Sequence, residues 1–274
     1  MNSDIHENSD SYILHLNDFG RKRLQIQHKV YAEASFSFIK KMQFNSDMRV
    51  LEIGCGSGDM SLWFAQNLNK SSQLTIVDLN ENQLKYTEKN LQKNGYKDFK
   101  MHNLNIYNLS NLKDKYDLIY ARMVLLHLDN HNFAVKNMVS CLADDGMIIT
   151  EDPLMKKDWF LFYPYSSVYK KFMKLVTICF DQSNIDPQSA YKMPSIYKKN
   201  GLKNVFIENV QPLFKTQEER LLLAMGLKDL APRIRELNLL DDKEITKMYD
   251  ELTLLSKKTD ILSWANLIQV CAKF

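Results

Sequence analysis

A glycine-rich loop between an apolar strand and a helix constrains this chain more than any other feature. Residues 50–59 read VLEIGCGSGD, with glycine at every second position from Gly54 to Gly58. Glycine has no Cβ, so the backbone can turn sharply there and approach a ligand closely. The apolar residues that follow recur with the spacing of a helix: Met60, Trp63, Phe64 and Leu68. The sequence therefore predicts a strand, a tight turn and a helix.

A carboxylate follows at the end of the next apolar run. Asp78 ends the stretch LTIVD and lies 20 residues after Gly58. A carboxylate at the end of the second strand of such a unit can accept hydrogen bonds from both hydroxyls of a ribose. Nicotinamide dinucleotides and S-adenosylmethionine (SAM) both carry that ribose. Asp78 therefore predicts an adenosine site, but it does not distinguish a nicotinamide dinucleotide from SAM.

Two features of the loop favour SAM. Dinucleotide-binding loops follow the pattern G-x-G-x-x-G, whereas this loop is G-x-G-x-G, with Asp59 where the third glycine would fall. Glu52 stands on the other side, two residues before Gly54. These two carboxylates would repel a pyrophosphate and would attract the cationic amino end and the sulfonium of SAM. The plainer alternative is a strand-turn-helix unit whose acidic residue favours the helix dipole.

The segment 51–58, LEIGCGSG, resembles the first motif of the class I SAM-dependent methyltransferases. The similarity runs in the family's order from about Met48 to Asp152, and it includes the fourth-strand motif at 116–122 and the helix-turn-strand at 142–149. The resemblance implies a SAM-dependent methyltransferase that produces S-adenosylhomocysteine (SAH). We expect the acceptor to be a small or medium organic molecule.

The resemblance also implies the cofactor-binding residues. Asp78 would hold the ribose, and Asn105, where the family usually has Asp, can still accept a hydrogen bond from the adenine amino group. Arg122 would pair with the cofactor carboxylate or an acidic acceptor, or would form a surface salt bridge. Tyr12 would cap the methionine end of the cofactor or pack within the N-terminal segment. The full predicted set is Glu52, Gly54, Cys55, Gly56, Gly58, Asp78, Leu79, Asn105, Ile106, Arg122 and Tyr12.

Strands that alternate with helices predict an α/β fold with a doubly wound, mostly parallel, Rossmann-like sheet of seven strands and helices on both faces. The predicted strands are 49–53, 74–78, 99–103, 116–121, 146–151, 204–210 and 264–273. The predicted helices between them are 58–68, 81–94 and 132–142.

The same reading divides the chain into four segments. These are an N-terminal helical cap over 1–45, a SAM-binding core over 46–152, a lid insertion over 153–199, and the rest of the core over 200–274 with a helical insertion at 215–258.

The lid insertion is rich in aromatic residues, with eight in 22 positions. Two roles remain open for them: walls of an acceptor pocket, or packing of the insertion against the sheet. The eight residues are Trp159, Phe160, Phe162, Tyr163, Tyr165, Tyr169, Phe172 and Phe180.

His127, in the stretch VLLHL after the fourth strand, is the best candidate for a general base. Acceptors sit at the carboxyl edge of open α/β sheets, and a histidine with an ordinary pKa can take a proton near neutral pH. Methyl transfer needs such a base only when the acceptor must lose a proton. A structural or cofactor-packing role is the alternative. Asp152, after the fifth strand, would face the acceptor or merely end that strand.

Composition limits the partners. The net charge of +3 is too small to demand nucleic acid, and the basic cluster at 21–23 fits a solvated helix face. Asp/Asn-Pro-Pro-aromatic, the motif of nucleic-acid amino-methylating enzymes, is replaced by Ala121-Arg122-Met123-Val124. Neither the histidines nor the cysteines have metal-ligand spacing, so no metal is predicted.

The chain shows no signal-peptide pattern at 1–11 and no apolar run of the ~20 residues needed to span a bilayer, which predicts a cytoplasmic protein. A homodimer is possible. Two other functions stay open: a non-catalytic SAM-binding regulator, and an NAD(P)-dependent oxidoreductase.

Overall fold

A seven-stranded sheet forms the centre of the computed structural model, which describes residues 18–154, 161–183, 185–258 and 261–274. Its strand order is β3-β2-β1-β4-β5-β9-β7, and a separate two-stranded sheet pairs β6 with β8. The strands are β1 (Val50–Ile53), β2 (Leu74–Asp78), β3 (Lys100–Asn103), β4 (Tyr116–Arg122), β5 (Leu142–Leu154), β6 (Phe162–Tyr163), β7 (Phe206–Val210), β8 (Ile261–Leu262) and β9 (Asn266–Lys273).

Strands β1 to β5 pair in parallel, and β9 runs antiparallel to both of its neighbours. The predicted mostly parallel, seven-stranded sheet is therefore confirmed. Six of its strands begin and end within two residues of the predicted bounds. β5 is longer than the predicted 146–151 because it pairs with β4 from Leu142 and with β9 as far as Leu154.

Nine helices occur in the described part of the chain, in addition to short 3-10 turns that include Leu125–His127. They are α1 (Asp18–Lys41), α2 (Asp59–Asn67), α3 (Glu81–Lys93), α4 (His131–Cys141), α5 (Ser167–Asp181), α6 (Ser189–Lys199), α7 (Gln217–Arg220), α8 (Leu222–Glu236) and α9 (Asp242–Lys258). None of them is both long and apolar enough to cross a membrane.

Alternate residues of the strands bury two apolar layers, one on each face of the sheet. In β1, Val50 packs in the layer formed with α2 and α3, whereas Leu51 packs in the layer formed with α4 and α6. This alternation follows from the period-2 geometry of a strand. Both faces are covered, as expected of a largely parallel sheet.

Helix α6 packs against the sheet, in the same apolar layer as α4. Met193 and Tyr197 are fully buried in the α4 layer, and the Tyr197 hydroxyl lies 2.7 Å from Thr150 Oγ1 of β5. The C-terminal part of the predicted lid insertion at 153–199 is therefore a helix of the core in this structure, and only the part before it can cover the sheet edge.

A third apolar cluster lies in a helical cap that we define as α1, α5, α8 and α9. Ile26 of α1, Phe172 of α5, Leu227 of α8 and Leu252 of α9 share this cluster. The predicted N-terminal cap is thus joined by the helical insertion at 215–258 and by the first helix of the lid insertion.

The aromatic residues of that insertion divide between the two predicted roles. Tyr169 and Phe172 are buried in the cap cluster, whereas Tyr163 and Tyr165 are 63% and 70% exposed. Trp159 and Phe160 lie outside the described residues.

Candidate active site

The loop from β1 to α2 is held by close packing around two of its glycines. A Cβ on Gly54 would lie 2.4 Å from Val124 Cγ2, and one on Gly58 would lie 3.1 Å from the Cα of Thr87. The φ angles of +77° and +76° at these positions also favour glycine. Gly54 N donates to Val77 O at 2.7 Å, which ties the loop to β2.

Gly56 differs from the other two glycines because space remains beside it. The nearest atom to a Cβ built there is Leu24 Cδ1 of α1, at 3.9 Å. Its φ of +52° again favours glycine. The loop therefore presents open backbone at Gly56, between the sheet edge and α1.

Asp78 ends β2 directly beside this backbone. Its Oδ2 lies 3.5 Å from Gly56 N, and its Oδ1 accepts from Asn80 N at 2.8 Å. Burial raises the pKa of Asp78, while the neighbouring donors favour its ionised form. The next residue, Leu79, is 58% exposed and offers an apolar surface at the same place. Gly56, Asp78 and Leu79 thus lie together at the carboxyl ends of β1 and β2.

Glu52 lies beneath the loop. It is 2% exposed and accepts a hydrogen bond from Ser61 Oγ of α2. Burial raises its pKa to about 8, against the opposing effects of Ser61 and Arg122. The carboxyl is therefore protonated at neutral pH in this structure, which sequence reasoning did not predict.

Asp59 begins α2 and accepts from Ser57 Oγ. Burial raises the pKa of Asp59 as well. Together with Tyr86 of α3, Glu218 of α7 and one side of α1, it lines a cavity of about 380 Å³. The cavity therefore lies between the start of α2 and the cap helix α1.

Arg122 joins β4 to the cap helix α1. Its Nη2 lies 2.8 Å from His28 Nδ1, and its Nη1 lies 3.3 Å from Ser35 Oγ. Burial, and then the charge of Arg122, lower the pKa of His28 to about 3, so this imidazole stays neutral and accepts the hydrogen bond. The predicted surface salt bridge is not what the described residues show.

Glu151 of β5 is the hub of the same polar network. It is fully buried and accepts from Ser35 Oγ at 2.5 Å, from Tyr120 OH at 3.0 Å and from Gln269 Nε2 at 3.0 Å. Strand register explains this meeting, because Glu151 is the cross-strand partner of both Arg122 and Gln269. The charge of Arg122 stabilises the ionised form of Glu151, although burial raises its pKa overall. Sequence reasoning missed Glu151, and only the predicted pairing of β4 with β5 could have indicated it.

His127 lies in the 3-10 turn that follows β4. Burial, and then the charge of Arg23, lower its pKa to about 4. The imidazole is therefore neutral at pH 7 and is a weak base. Asp152, 1% exposed, supports the turn by accepting from Leu126 N at 3.2 Å. Burial raises the pKa of Asp152 to about 7.

Asn105 and Ile106 follow β3 as predicted, and Ile106 is buried. The side chain of Asn105 caps the turn at 106–111 by accepting from Tyr107 N at 3.0 Å. Cys55 is buried in the loop, where burial raises the pKa of its thiol. Tyr12 lies outside the described residues, so its role stays a prediction.

One prediction about the basic cluster at 21–23 is wrong. Arg23 is only 5% exposed, because α1 turns it toward α8, where its Nε lies 2.5 Å from Asp229 Oδ2. Its cluster partner Lys22 is exposed. The helical period separates the two residues, and the sequence offered no sign of the partner on α8.

Comparison with known proteins agrees with this geometry. The family described as "Methyltransferase domain" matches residues 44–211. Demethylmenaquinone methyltransferase of Bacillus velezensis is 22% identical over 191 residues, which cover 65% of this chain and 80% of that protein. (S)-coclaurine N-methyltransferase of Thalictrum flavum subsp. glaucum is 24% identical over 139 residues, which cover 47% of this chain and 38% of that protein.

A solved structure has the same fold. It is phosphoethanolamine N-methyltransferase 2 of Haemonchus contortus, in complex with SAH and phosphomonomethylethanolamine. Its TM-score is 0.54 at 14% identity, with 95% of this chain and 60% of that chain covered. The chain belongs to the methyltransferase-domain family, in the SAM-dependent class with a Rossmann-like sheet. The prediction of a SAM-dependent methyltransferase is confirmed.

The residues present fit SAM. The open backbone at Gly56 leaves room that a Cβ would reduce, the Asp78 carboxylate stands beside it, and the exposed Leu79 can cover a flat apolar ring. Asp59, at the start of α2, suits a cation better than a pyrophosphate. Glu52, whose pKa is raised to about 8, does not supply the second negative charge at neutral pH.

Proposed function

We propose that this protein transfers the methyl group of SAM to a small or medium organic acceptor that binds between the cofactor loop and the helical cap. The observation that carries the proposal is the meeting of Gly56, Asp78 and Leu79 at the carboxyl edge of the sheet, below α1. Ligands of open α/β sheets bind at this edge.

The protein's own task in this reaction is to bind, orient and enclose. Bound SAM supplies an electrophilic methyl group, and the protein supplies the alignment of the acceptor with it. Alignment of this kind is worth effective molarities of roughly 10⁵–10⁸ M. Asp78 would hold the ribose, and α1 would exclude water from above. His127 is neutral and could accept a proton from the acceptor, although its low pKa makes it a weak base.

Binding of SAH to an Asp78→Ala variant tests the cofactor site. The variant loses two charge-assisted hydrogen bonds of roughly 1.5–3 kcal/mol each, so we expect the affinity measured by calorimetry to fall by at least about tenfold. Asp114→Ala removes an exposed carboxylate that pairs with Lys100 and serves as the control. Equal affinities in the two variants, or stronger binding of NAD than of SAH by the unchanged protein, would contradict the assignment.

We further propose an acceptor that is largely apolar and carries a planar ring. Exposed Tyr163 and Tyr165 and the half-buried Phe162 support this, because they leave aromatic surface near the cap. Two relatives are named for demethylmenaquinone and (S)-coclaurine, both small molecules. Formation of SAH from SAM with a panel of ring-bearing acceptors tests it, and activity confined to proteins or nucleic acids would overturn it.

We also propose that the protein acts in the cytoplasm without nucleic-acid partners. A net charge of +3 supports a protein without nucleic-acid partners. All four cysteines are free and buried, which suits a cytoplasmic location. A homodimer stays a prediction.

A further inference from the structure

The most unusual charged pair in the described residues connects two helices of the cap. Arg23 of α1 and Asp229 of α8 have 6% and 1% of their side chains exposed, and Arg23 Nε lies 2.5 Å from Asp229 Oδ2. Removing two such charges from water costs several kcal/mol per ion. The other ion pairs given for the structure have at least one side chain that is 20% exposed or more. Cap stability alone could be obtained with apolar residues at these two positions, as elsewhere in the cap.

Two donor atoms of Arg23, Nε and Nη2, make no hydrogen bond among the described residues, although Nε lies beside Asp229 Oδ2. Its Nη1 donates to Gln27 Oε1 at 2.7 Å, but its buried Nη2 has no hydrogen-bond partner among the described residues. A buried donor without an acceptor is destabilising, and more so when it is charged. A ligand oxygen that pairs with Nη2 would account for it.

Arg23 is linked to the edge of the sheet where the acceptor must bind. Gln27, one helical turn further along α1, contacts Met123 Sδ. Met123 is the first residue after β4, and it begins the turn that carries His127. The charge of Arg23 contributes to the lowered pKa of His127, after burial. Arg23 therefore lies within electrostatic reach of the candidate base.

The net charge of the pair limits which ligand oxygens can accept a hydrogen bond from Arg23. Asp229 already neutralises the guanidinium, so a second anion would be buried without a counter-charge. An uncharged oxygen needs no counter-charge. The two helices that carry the pair contribute Ile26 of α1 and Leu230 of α8 to the buried apolar cluster of the cap.

We propose that Arg23 binds the methyl acceptor by donating a hydrogen bond from Nη2 to an uncharged oxygen, a carbonyl or hydroxyl, on an otherwise apolar molecule. Asp229 positions the guanidinium and cancels its charge. The assignment rests on the proposed function, since it places the acceptor under the cap, and it names a specificity residue for that acceptor.

The experiment compares three probes of one shape: naphthalene, 2-naphthol and 2-naphthoate. Their binding to the SAH-loaded protein and to the SAH-free protein is measured by fluorescence or calorimetry. The variant Arg23→Met with Asp229→Leu replaces the whole pair, which avoids leaving one buried charge alone. The same two substitutions at Arg235 and Asp242, an exposed pair, give the matched control.

We expect the unchanged protein and the control to bind 2-naphthol about tenfold more tightly than naphthalene, as one hydrogen bond to a charged donor predicts. 2-naphthoate should bind more weakly than 2-naphthol. In the Arg23/Asp229 variant the advantage of 2-naphthol should disappear, while SAH affinity and the binding of naphthalene persist.

The proposal is overturned if 2-naphthol shows no advantage over naphthalene in the unchanged protein, including the case in which neither binds. It is also overturned if the advantage survives in the variant, or if 2-naphthoate binds most tightly. If the unchanged protein does not bind SAH, the proposed function is contradicted instead. The two failures can be distinguished, because the ratio of the affinities for 2-naphthol and naphthalene in SAH-free protein tests Arg23 independently of SAH.

Discussion

At the scale of single residues, three buried carboxyl groups show how surroundings decide protonation. Glu151 receives three hydrogen bonds and lies beside Arg122, which favours its charge. Glu52 has one hydrogen bond from Ser61, and its pKa rises to about 8. Asp152 accepts from backbone N–H groups, and its pKa is about 7. All three groups are buried, so depth of burial does not distinguish them; for Glu151 the largest effect that opposes burial is the charge of Arg122.

The raised pKa of Glu52 predicts how stability depends on pH. Between its ordinary value of 4.5 and about 8, the folded protein holds a proton that the unfolded chain has released. The contribution of Glu52 to the free energy of unfolding should therefore fall as pH rises through this window, by up to about 1.4 kcal/mol per pH unit. His28 and His127, whose pKa values are lowered to about 3 and about 4, contribute with the opposite sign below pH 6.5. The groups that act on Glu52 are Ser61, Arg122, Asp78 and Asp59.

Urea unfolding of a Glu52→Gln variant between pH 5.5 and 8 measures this effect. The amide can still accept from Ser61, so we expect the protein to fold and to lose the decrease in stability with rising pH that Glu52 contributes. Of the groups that remain, Asp152 acts in the same direction as Glu52 up to about pH 7, and His28 and His127 act in the opposite direction below pH 6.5. Glu88→Gln changes an exposed carboxylate of α3 and should leave the slope as it was. A slope identical in all three proteins would show that Glu52 is ionised.

At the scale of elements, the loop between β1 and α2 combines two glycines that pack against the protein with one that does not. Gly54 and Gly58 have no room for a Cβ, whereas Gly56 has only Leu24 at 3.9 Å. The first two shape the loop, and Gly56 leaves space for a ligand. Within residues 54–58, Gly54 and Gly58 are therefore needed for folding and Gly56 is needed for binding.

Alanine at two of these positions should separate the requirements. Gly54→Ala must displace Val124, so we expect a loss of stability of roughly 2 kcal/mol or more, beyond the strain of a positive φ. Gly56→Ala should cost roughly 1 kcal/mol for its φ alone and should weaken SAH binding more than it weakens the fold. Urea unfolding and calorimetry with SAH measure the two quantities. A Gly56→Ala variant with unchanged SAH affinity would contradict the assigned approach of the ligand.

At the scale of the whole molecule, two apolar layers on the sheet and a third cluster in the cap suggest two cooperative units. Helix α1 is joined to the sheet by polar contacts of Ser35 and Tyr31 and by Phe38 and Ile39, which are buried in the apolar layer that contains β1. The apolar residues of α5, α8 and α9 instead belong to the cap cluster. We therefore propose that α5, α8 and α9 open as a unit to admit ligands, while the C-terminal part of α1 stays on the sheet.

Hydrogen exchange with and without SAH tests this opening. Backbone amides of α5, α8 and α9 should exchange together and faster than those of β1 and β4, because local opening exposes the whole cap cluster. SAH should slow exchange in the cofactor loop and in α1. Exchange in the cap that is as slow as in the sheet, with or without SAH, would show that the cap is part of one rigid core.

The predicted role of the insertion's aromatic residues as walls of an acceptor pocket can be tested at Tyr163, which is 63% exposed. Tyr163→Ala should reduce turnover of a ring-bearing acceptor while leaving stability and SAH affinity nearly unchanged, because an exposed side chain contributes little to the fold. Phe172→Ala, in the buried cluster, is the contrasting change and should cost about 3–5 kcal/mol of stability. Equal stability losses in both variants would argue that Tyr163 only packs the cap.

The sheet, the cofactor loop and the family could all be predicted from the sequence, because they depend on local signals. The glycines of 54–58, the apolar strand before them and Asp78 lie within one βαβ unit, and its geometry follows from short-range rules. The tertiary structure alone decided which polar residues meet across distance. Strand register makes Glu151 the cross-strand partner of Arg122 and Gln269. Helix α6 lies on the sheet because its apolar side chains pack in one layer with those of β5 and β9. Arg23 was buried by Asp229, 206 positions further along the chain. Contacts between residues so far apart depend on how helices pack, which no local pattern in the sequence records.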